Sequence, residues 1–153
     1  MELIQVNAND YDFNEKVEWF WKTWGSEDNR MFYEDCMRHS KKSDVPCFYI
    51  IKDADRIIGT VALLRNELVS RQDLTPWLAC LYVDPDYRKK RLGFKMMNEV
   101  CKIAAEMGYR HVYLSTDLDG YYEKAGWTYV DVCYGLSGGK IKVYRSPELL
   151  QSV

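Results

Sequence analysis

Residues 82–97 read YVDPDYRKKRLGFKMM, and the fold of the chain turns on how this stretch is parsed. It holds the end of an apolar run, a turn, and then Arg88, Lys89, Lys90, Arg91 and Lys95 gathered around Gly93. Upstream, WLACLYV from Trp77 to Val83 is apolar throughout, as a central strand covered on both faces must be. Downstream, Leu92, Met96, Val100, Ile103 and Met107 recur at spacings of four and three, the mark of one helical face. The stretch is therefore a strand-to-helix junction. A helix beginning near Lys90 turns its unpaired N–H groups and the positive end of its dipole toward the turn, and Gly93 lets a ligand approach the backbone closely. Such a place binds phosphate, and the cations around it suit a ligand with several phosphates.

Outward from this junction the chain reads as alternating strands and helices. ELIQV is a first strand, and a helix capped by Asn9 or Asp10 runs to Trp24 and ends at Gly25. A second helix covers residues 28–41, with Phe32, Cys36 and His39 toward one face. CFYIIK and RIIGTVALLR form a hairpin around DAD, and residues 66–76 make a long polar connection into the central strand. After Gly108, HVYLS is a strand, LDGYYEKAGW a short helix, and WTYVDVCY with KIKVYR a final antiparallel pair joined through SGG. The expected fold class is α/β in the mixed α+β sense. One central mixed, mostly antiparallel sheet of about six to seven strands is flanked by about four helices, in a single domain over residues 1–153.

Composition limits what such a domain does. At 153 residues, with 47% hydrophobic residues and a net charge of -2, the chain has enough apolar mass for one core and lacks the basic excess of a protein that coats nucleic acid or an anionic membrane. The positive cluster is local. Cys36, Cys47, Cys80, Cys101 and Cys133 are odd in number and include no CxxC pair, so they read as reduced core residues. The N-terminal residues lack the pattern of a signal peptide and no segment is apolar enough to span a membrane, which makes a cytoplasmic address the expectation. No spacing of His, Cys or acids suggests a metal site, and His39 and His111 stand alone.

Two motifs carry a resemblance. RKKRLG, Arg88 to Gly93, is similar to the loop signature of the GNAT superfamily of N-acetyltransferases, which runs Arg or Gln, two residues, Gly, one residue, Gly or Ala. LYVDPDYR leads into it as in that family, and YYEKAGW, Tyr121 to Trp127, resembles the family's late Phe-Tyr-Glu-Lys-x-Gly-Phe motif. Arg91 stands where the signature has its first glycine, and we expect it to take an ordinary helical dihedral in the first helical turn.

The resemblance implies an acetyl-CoA-dependent N-acetyltransferase acting on a primary amine of a small molecule, peptide or protein, by direct attack in a ternary complex. It implies that Leu81, Tyr82 and Val83 offer a strand edge to the cofactor, with the Leu81 N–H as oxyanion donor, and that Arg88, Lys89, Lys90, Arg91, Leu92 and Gly93 hold the pyrophosphate. It selects Tyr122 over Tyr121 as the acid that protonates the leaving thiolate. The general base stays open among Asp73, Asp117, Asp119 and a water chain. The acceptor is expected against the aromatic N-terminal helices (Trp19, Phe20, Trp21, Trp24, Phe32, Tyr33) and the 66–76 connection, with Asp73, Trp77 and Asp117 as candidate contacts. Neither nucleic acid nor membrane is an expected partner, and a homodimer is compatible with the sequence. The alternative is a non-catalytic CoA-binding regulatory domain.

Overall fold

Each apolar run of the sequence becomes a strand. In a computed structural model, which describes residues 2–149, the chain order is β1 (Ile4–Gln5), α1 (Phe13–Trp24), α2 (Arg30–Arg38), β2 (Cys47–Asp53), β3 (Arg56–Leu64) and β4 (Trp77–Val83). A 3₁₀ turn (Pro85–Lys90) leads into α3 (Leu92–Glu106), followed by β5 (Tyr113–Thr116), a second 3₁₀ turn (Glu123–Ala125), β6 (Thr128–Tyr134) and β7 (Lys140–Arg145). The strands form one seven-stranded sheet in the order β1-β2-β3-β4-β5-β7-β6. The β4–β5 pair is parallel, registered at Trp77↔Tyr113, and the β1–β2, β2–β3, β5–β7 and β6–β7 pairs are antiparallel. The expected mixed, mostly antiparallel sheet is thus observed.

The chain divides into two compact units, Met1–Leu63 with Cys80–Met96, and Leu64–Ala79 with Met97–Val153. In the first unit, α1 buries Phe13, Val17 and Phe20, four and three residues apart, and the Phe20 ring meets Phe48 of β2 edge-on at 5.5 Å. Lys16, only 4% exposed, lies on the same buried side. Its ammonium is 2.9 Å from both Asp10 and Asp12, and Lys52 of β2 donates to Asp12 at 2.9 Å, so the buried charge is fully paired. Removing one member of such a cluster strands the others, typically at about 3–5 kcal/mol. α2 is shorter than the expected 28–41, and it buries Met37 while Phe32 and His39 are exposed. The cationic and polar ends of that segment lack apolar residues at helical spacing beyond Met37, which is why the helix stops at Arg38.

In the second unit, Trp77, Val69, Cys133 and Val143 form a core cluster, with Leu74, Tyr113, Val130 and Ile141 packed around it. The 66–76 connection is an ordered loop. Ser70 N–H donates to the Tyr134 carbonyl at 2.9 Å, Tyr134 N–H returns a bond to Ser70 Oγ at 2.8 Å, and Val69 bridges Gly135. Within the loop, the Asn66 side-chain oxygen accepts from Val69 N–H and from the Gln72 amide. The segment expected as a late short helix is only the three-residue 3₁₀ turn, closed by Gly126 at φ 85°.

Candidate active site

The strand-to-helix junction after β4 is built by short-range bonds in the first unit. Asp84, buried, donates its N–H to the Ile58 carbonyl at 2.7 Å, accepts the Asp86 N–H at 3.0 Å, and pairs with Arg56 at 2.6 Å. Pro85 sits at the start of the 3₁₀ turn that Asp84 caps, where its missing N–H costs nothing. Arg88 folds back: its Nε donates to the Val83 carbonyl at 2.9 Å and its guanidinium lies 5.6 Å from the Tyr82 ring centre. Lys89, Lys90 and Arg91 are exposed.

Arg91 does not take the expected helical dihedral. It ends the 3₁₀ turn at φ 55°, ψ 28°, in the left-handed region, and its carbonyl accepts the first α3 bond from Lys95 N–H at 3.1 Å. The chain has to reverse its curvature between the 3₁₀ turn and the α-helix, and a left-handed residue performs that reversal. Glycine does so without strain, whereas a side chain costs roughly 1–2 kcal/mol. Arg91 thus holds a backbone conformation that a glycine at this position would enter freely.

β4 carries a second left-handed residue. Cys80 has φ 54° in mid-strand, and its carbonyl accepts from the hydroxyl of buried Thr60 at 2.8 Å. The Trp24 indole N–H in turn reaches Thr60 Oγ1 at 3.4 Å. From Cys80 to Tyr82 the strand is half-exposed, unlike Trp77–Ala79 before it, so the expectation of a strand covered along its whole length fails in its second half. Leu81, the expected oxyanion donor, lies directly after this distortion. In the same unit a cavity of about 720 Å³ is lined by Glu15, Glu18, Trp19, Lys22, Thr23 and Tyr82. Trp19 and Tyr82 stand with ring centres 6.5 Å apart, placing aromatic surface beside two carboxylates.

The second unit holds Tyr122. It is half-buried, meets Tyr121 edge-on at 4.9 Å, and packs near Trp127 and Tyr144 at 6.4 and 6.1 Å. Tyr121 is exposed. Burial pushes the Tyr122 phenol up, and the charges of Tyr121 and Glu67 add to this, while a hydrogen bond with Thr116 works the other way. Thr116 Oγ1 accepts the Leu118 N–H at 3.0 Å, which leaves its own proton for Tyr122. Glu67, which sequence reasoning passed over, lies in this neighbourhood: its Oε2 accepts the Ser115 hydroxyl at 2.9 Å, and burial raises its carboxyl to about 7.

The three expected acceptor contacts lie in different surroundings. Trp77 is fully buried in the core cluster and its indole N–H donates to the Leu74 carbonyl at 2.7 Å, so it is a packing residue. Asp73 is exposed and bound by Arg71 at 2.9 and 2.8 Å, which holds its carboxyl below the ordinary value. Asp117 is exposed, its carbonyl accepting from Lys142 at 3.3 Å, and Asp119 pairs with the same lysine. Among the described residues no cluster of three His, Cys, Asp or Glu forms a metal site, and no helix is long and apolar enough to cross a membrane.

A profile of the acetyltransferase (GNAT) family matches residues 13–127, most of the chain. The chain belongs to the GNAT family. It is accordingly an acyltransferase with acetyl-CoA as its donor. No curated protein matches it in sequence. Among solved structures, the GNAT chain is similar to an aminoglycoside 6'-N-acetyltransferase complexed with coenzyme A (TM-score 0.71, 17% identity, covering 100% of this chain and 99% of that one). It is also similar to the aminoglycoside 6'-N-acetyltransferase of Enterococcus faecium (0.70, 17%, 100% and 99%). A third likeness is to the ribosomal-protein-S18-alanine N-acetyltransferase of Escherichia coli (0.67, 9%, 99% and 96%). At these identities the likeness is one of fold. The GNAT loop here fits a pyrophosphate on its own geometry: a left-handed turn at Arg91, exposed cations at positions 89–91, and a helix whose first bond starts only at Lys95.

Proposed function

We propose that the chain is an N-acetyltransferase that moves the acetyl group of acetyl-CoA to a primary amine by direct attack, and that its acceptor is a small cationic molecule. The observation that carries the reading is the state of Tyr122. Burial keeps its phenol protonated, and Thr116 donates to its oxygen, so its own proton is available to a leaving group and the phenolate that results is already bonded.

Acetyl-CoA supplies the activated acyl carbon. The chain's part is to bind, orient and move protons. Lys89, Lys90, Arg91 and the N–H groups of Leu92 and Gly93 hold the pyrophosphate, the Leu81 N–H stabilises the oxyanion as charge develops on the carbonyl oxygen, and Tyr122 protonates the thiolate. Arg88 acts indirectly, bracing Tyr82 and the Val83 carbonyl at the strand end. For the acceptor, the cavity beside Trp19 and Tyr82 has aromatic faces for a cation and the Glu15 carboxylate to attract it, Glu18 being already paired with Arg30 and Lys22. A recess of this size admits a small amine. The aminoglycoside enzymes of the same fold point the same way.

The test is direct. Acetyl-CoA should raise the melting temperature, and thiol should be released when cationic small amines are added. A melting-temperature gain without thiol release from any of a broad panel of amines and peptides would establish the non-catalytic CoA-binding alternative instead. Two features favour that alternative, the absent glycine at position 91 and the unassigned base, and the left-handed backbone of Arg91 weakens the first.

A further inference from the structure

We infer that Glu67 is the general base of the transfer, its carboxylate taking the proton that an incoming primary ammonium group must lose before it attacks. The inference rests on the acetyl-transfer reading above and names a residue that reading leaves open.

Glu67 is placed with care that a solvated loop carboxylate does not need. The following residue, Leu68, is left-handed at φ 58°, the kind of backbone strain that persists only where the surroundings enforce it. Those surroundings are the Asn66 bonds to Val69 and Gln72, and the Gln72 amide on the Val69 carbonyl at 2.7 Å. Beyond them are the Ser70–Tyr134 pair and the Thr75 hydroxyl on the Arg65 carbonyl at 2.8 Å. The loop so fixed turns Glu67 inward onto Ser115 of β5, which donates to it from both hydroxyl and backbone N–H.

The groups around the carboxylate suit a base. Ser115 reaches it from β5, Tyr122 from the turn before the second 3₁₀ segment, and Cys133 from β6, each feeling its charge or bonding it. These partners are neutral at neutral pH, Tyr122 and Cys133 both being pushed up by burial. Arg71 of the same loop is engaged by Asp73 at 2.8 Å and lies 3.9 Å from Asp131. A carboxylate held by neutral donors and half-buried keeps a proton affinity near that of a weak amine, and burial does raise its carboxyl to about 7. The acid and the base of the reaction are then both titrating groups of one unit, set apart by environment.

The step balances. Glu67 takes one proton from the ammonium, and the freed lone pair forms the C–N bond at the thioester carbonyl. The C–S bond breaks with its electrons on sulfur, and Tyr122 protonates the thiolate. The nitrogen's second proton restores the phenol, the first leaves Glu67 to solvent, and one proton is released per turnover.

The test compares parent, Glu67→Gln and Ser115→Ala with acetyl-CoA, using kanamycin and spermidine as probe acceptors and hydrolysis as the acceptor-free reaction. Thiol release is followed across the neutral pH range. The parent rate should rise with pH through about 7, where the carboxyl deprotonates. Glu67→Gln should keep its melting-temperature gain with acetyl-CoA, lose that rise, and turn over about 10²-fold more slowly or worse. Ser115→Ala, which removes a bond favouring the charged carboxylate, should move the rise to higher pH while keeping the plateau rate. A merely structural glutamate would not give that shift. Parental rate and pH profile in Glu67→Gln would overturn the inference and leave the transfer reading intact. A parent that gains stability with acetyl-CoA but releases no thiol in any of the three reactions would overturn both.

Discussion

The Thr60 hydroxyl donates to the carbonyl of Cys80 at 2.8 Å, and Cys80 is the residue at which β4 turns left-handed. Thr60→Val keeps the side-chain shape and removes the donor. Losing one hydrogen bond to a half-buried carbonyl costs about 0.5–1.5 kcal/mol, and the proposed Leu81 donor follows Cys80 directly. Denaturant melts of the variant should therefore show that loss, and calorimetric titration should show weaker acetyl-CoA binding. Thr60→Ser retains the hydroxyl and should lose little of either. A Thr60→Val protein equal to the parent in both measurements would mean that the strand holds its own distortion.

Arg91 makes a different prediction because its strain is in the backbone. Arg91→Gly should raise stability by about 1 kcal/mol, since glycine enters the left-handed region freely, and Arg91→Ala should give no gain because it retains a Cβ. Acetyl-CoA affinity should fall modestly in both, by the loss of one exposed cation. Thermal melts of the two variants side by side decide the matter: equal melting temperatures would show that the left-handed turn is not under strain.

Tyr122→Phe keeps the ring against Trp127 and Tyr144 and removes the proton. It should lower kcat about 10²-fold, the low end for general acid help because a thiolate leaves tolerably without one, with acetyl-CoA affinity nearly unchanged. Tyr121→Phe, on an exposed residue, should leave the rate alone. Equal rates for Tyr122→Phe and the parent would remove the tyrosine from the chemistry.

Glu67 links activity to stability. Its carboxyl is raised from 4.5 to about 7, so between those values the folded protein holds a proton that the unfolded chain has lost. Stability contributed by this group is full below 4.5, declines as pH rises through the interval, and stays low above about 7. Glu67→Gln should therefore melt higher than the parent in mildly alkaline buffer and no higher in acid. A variant that gains stability while losing rate is what a functional carboxylate predicts. Identical pH–stability curves would show that Glu67 is an ordinary surface group.

What the sequence displays and what it hides divide on physical grounds. The run Trp77–Val83 and the spacing Leu92, Met96, Val100 were readable because burial is written in residue type and period. The left-handed backbone at Cys80 and Arg91 was not. Positive φ is usually announced by glycine, but at Cys80 it accompanies a bond from a hydroxyl 20 residues away, and at Arg91 the meeting of a 3₁₀ turn and a helix. Glu67 was hidden for a similar reason: in a polar loop it looks solvated, and its bond from Ser115, 48 residues on, is not visible in the sequence. Trp77 shows why residue type alone is ambiguous: an aromatic residue beside a polar loop signals a pocket wall and a core corner equally well, and here it is buried with Val69, Cys133 and Val143.

The row formed by Arg88, Tyr82 and Trp19 has an optical consequence. The guanidinium lies 5.6 Å from the tyrosine ring, the tyrosine 6.5 Å from the half-exposed indole, and the same Arg88 belongs to the loop proposed above to hold the donor's pyrophosphate. Trp77, sealed in its cluster, contributes a constant blue-shifted emission. Trp19 emission should instead dim or shift as donor and acceptor arrive. The protein thus carries its own fluorescent reporter, against which unlabelled ligands can be titrated.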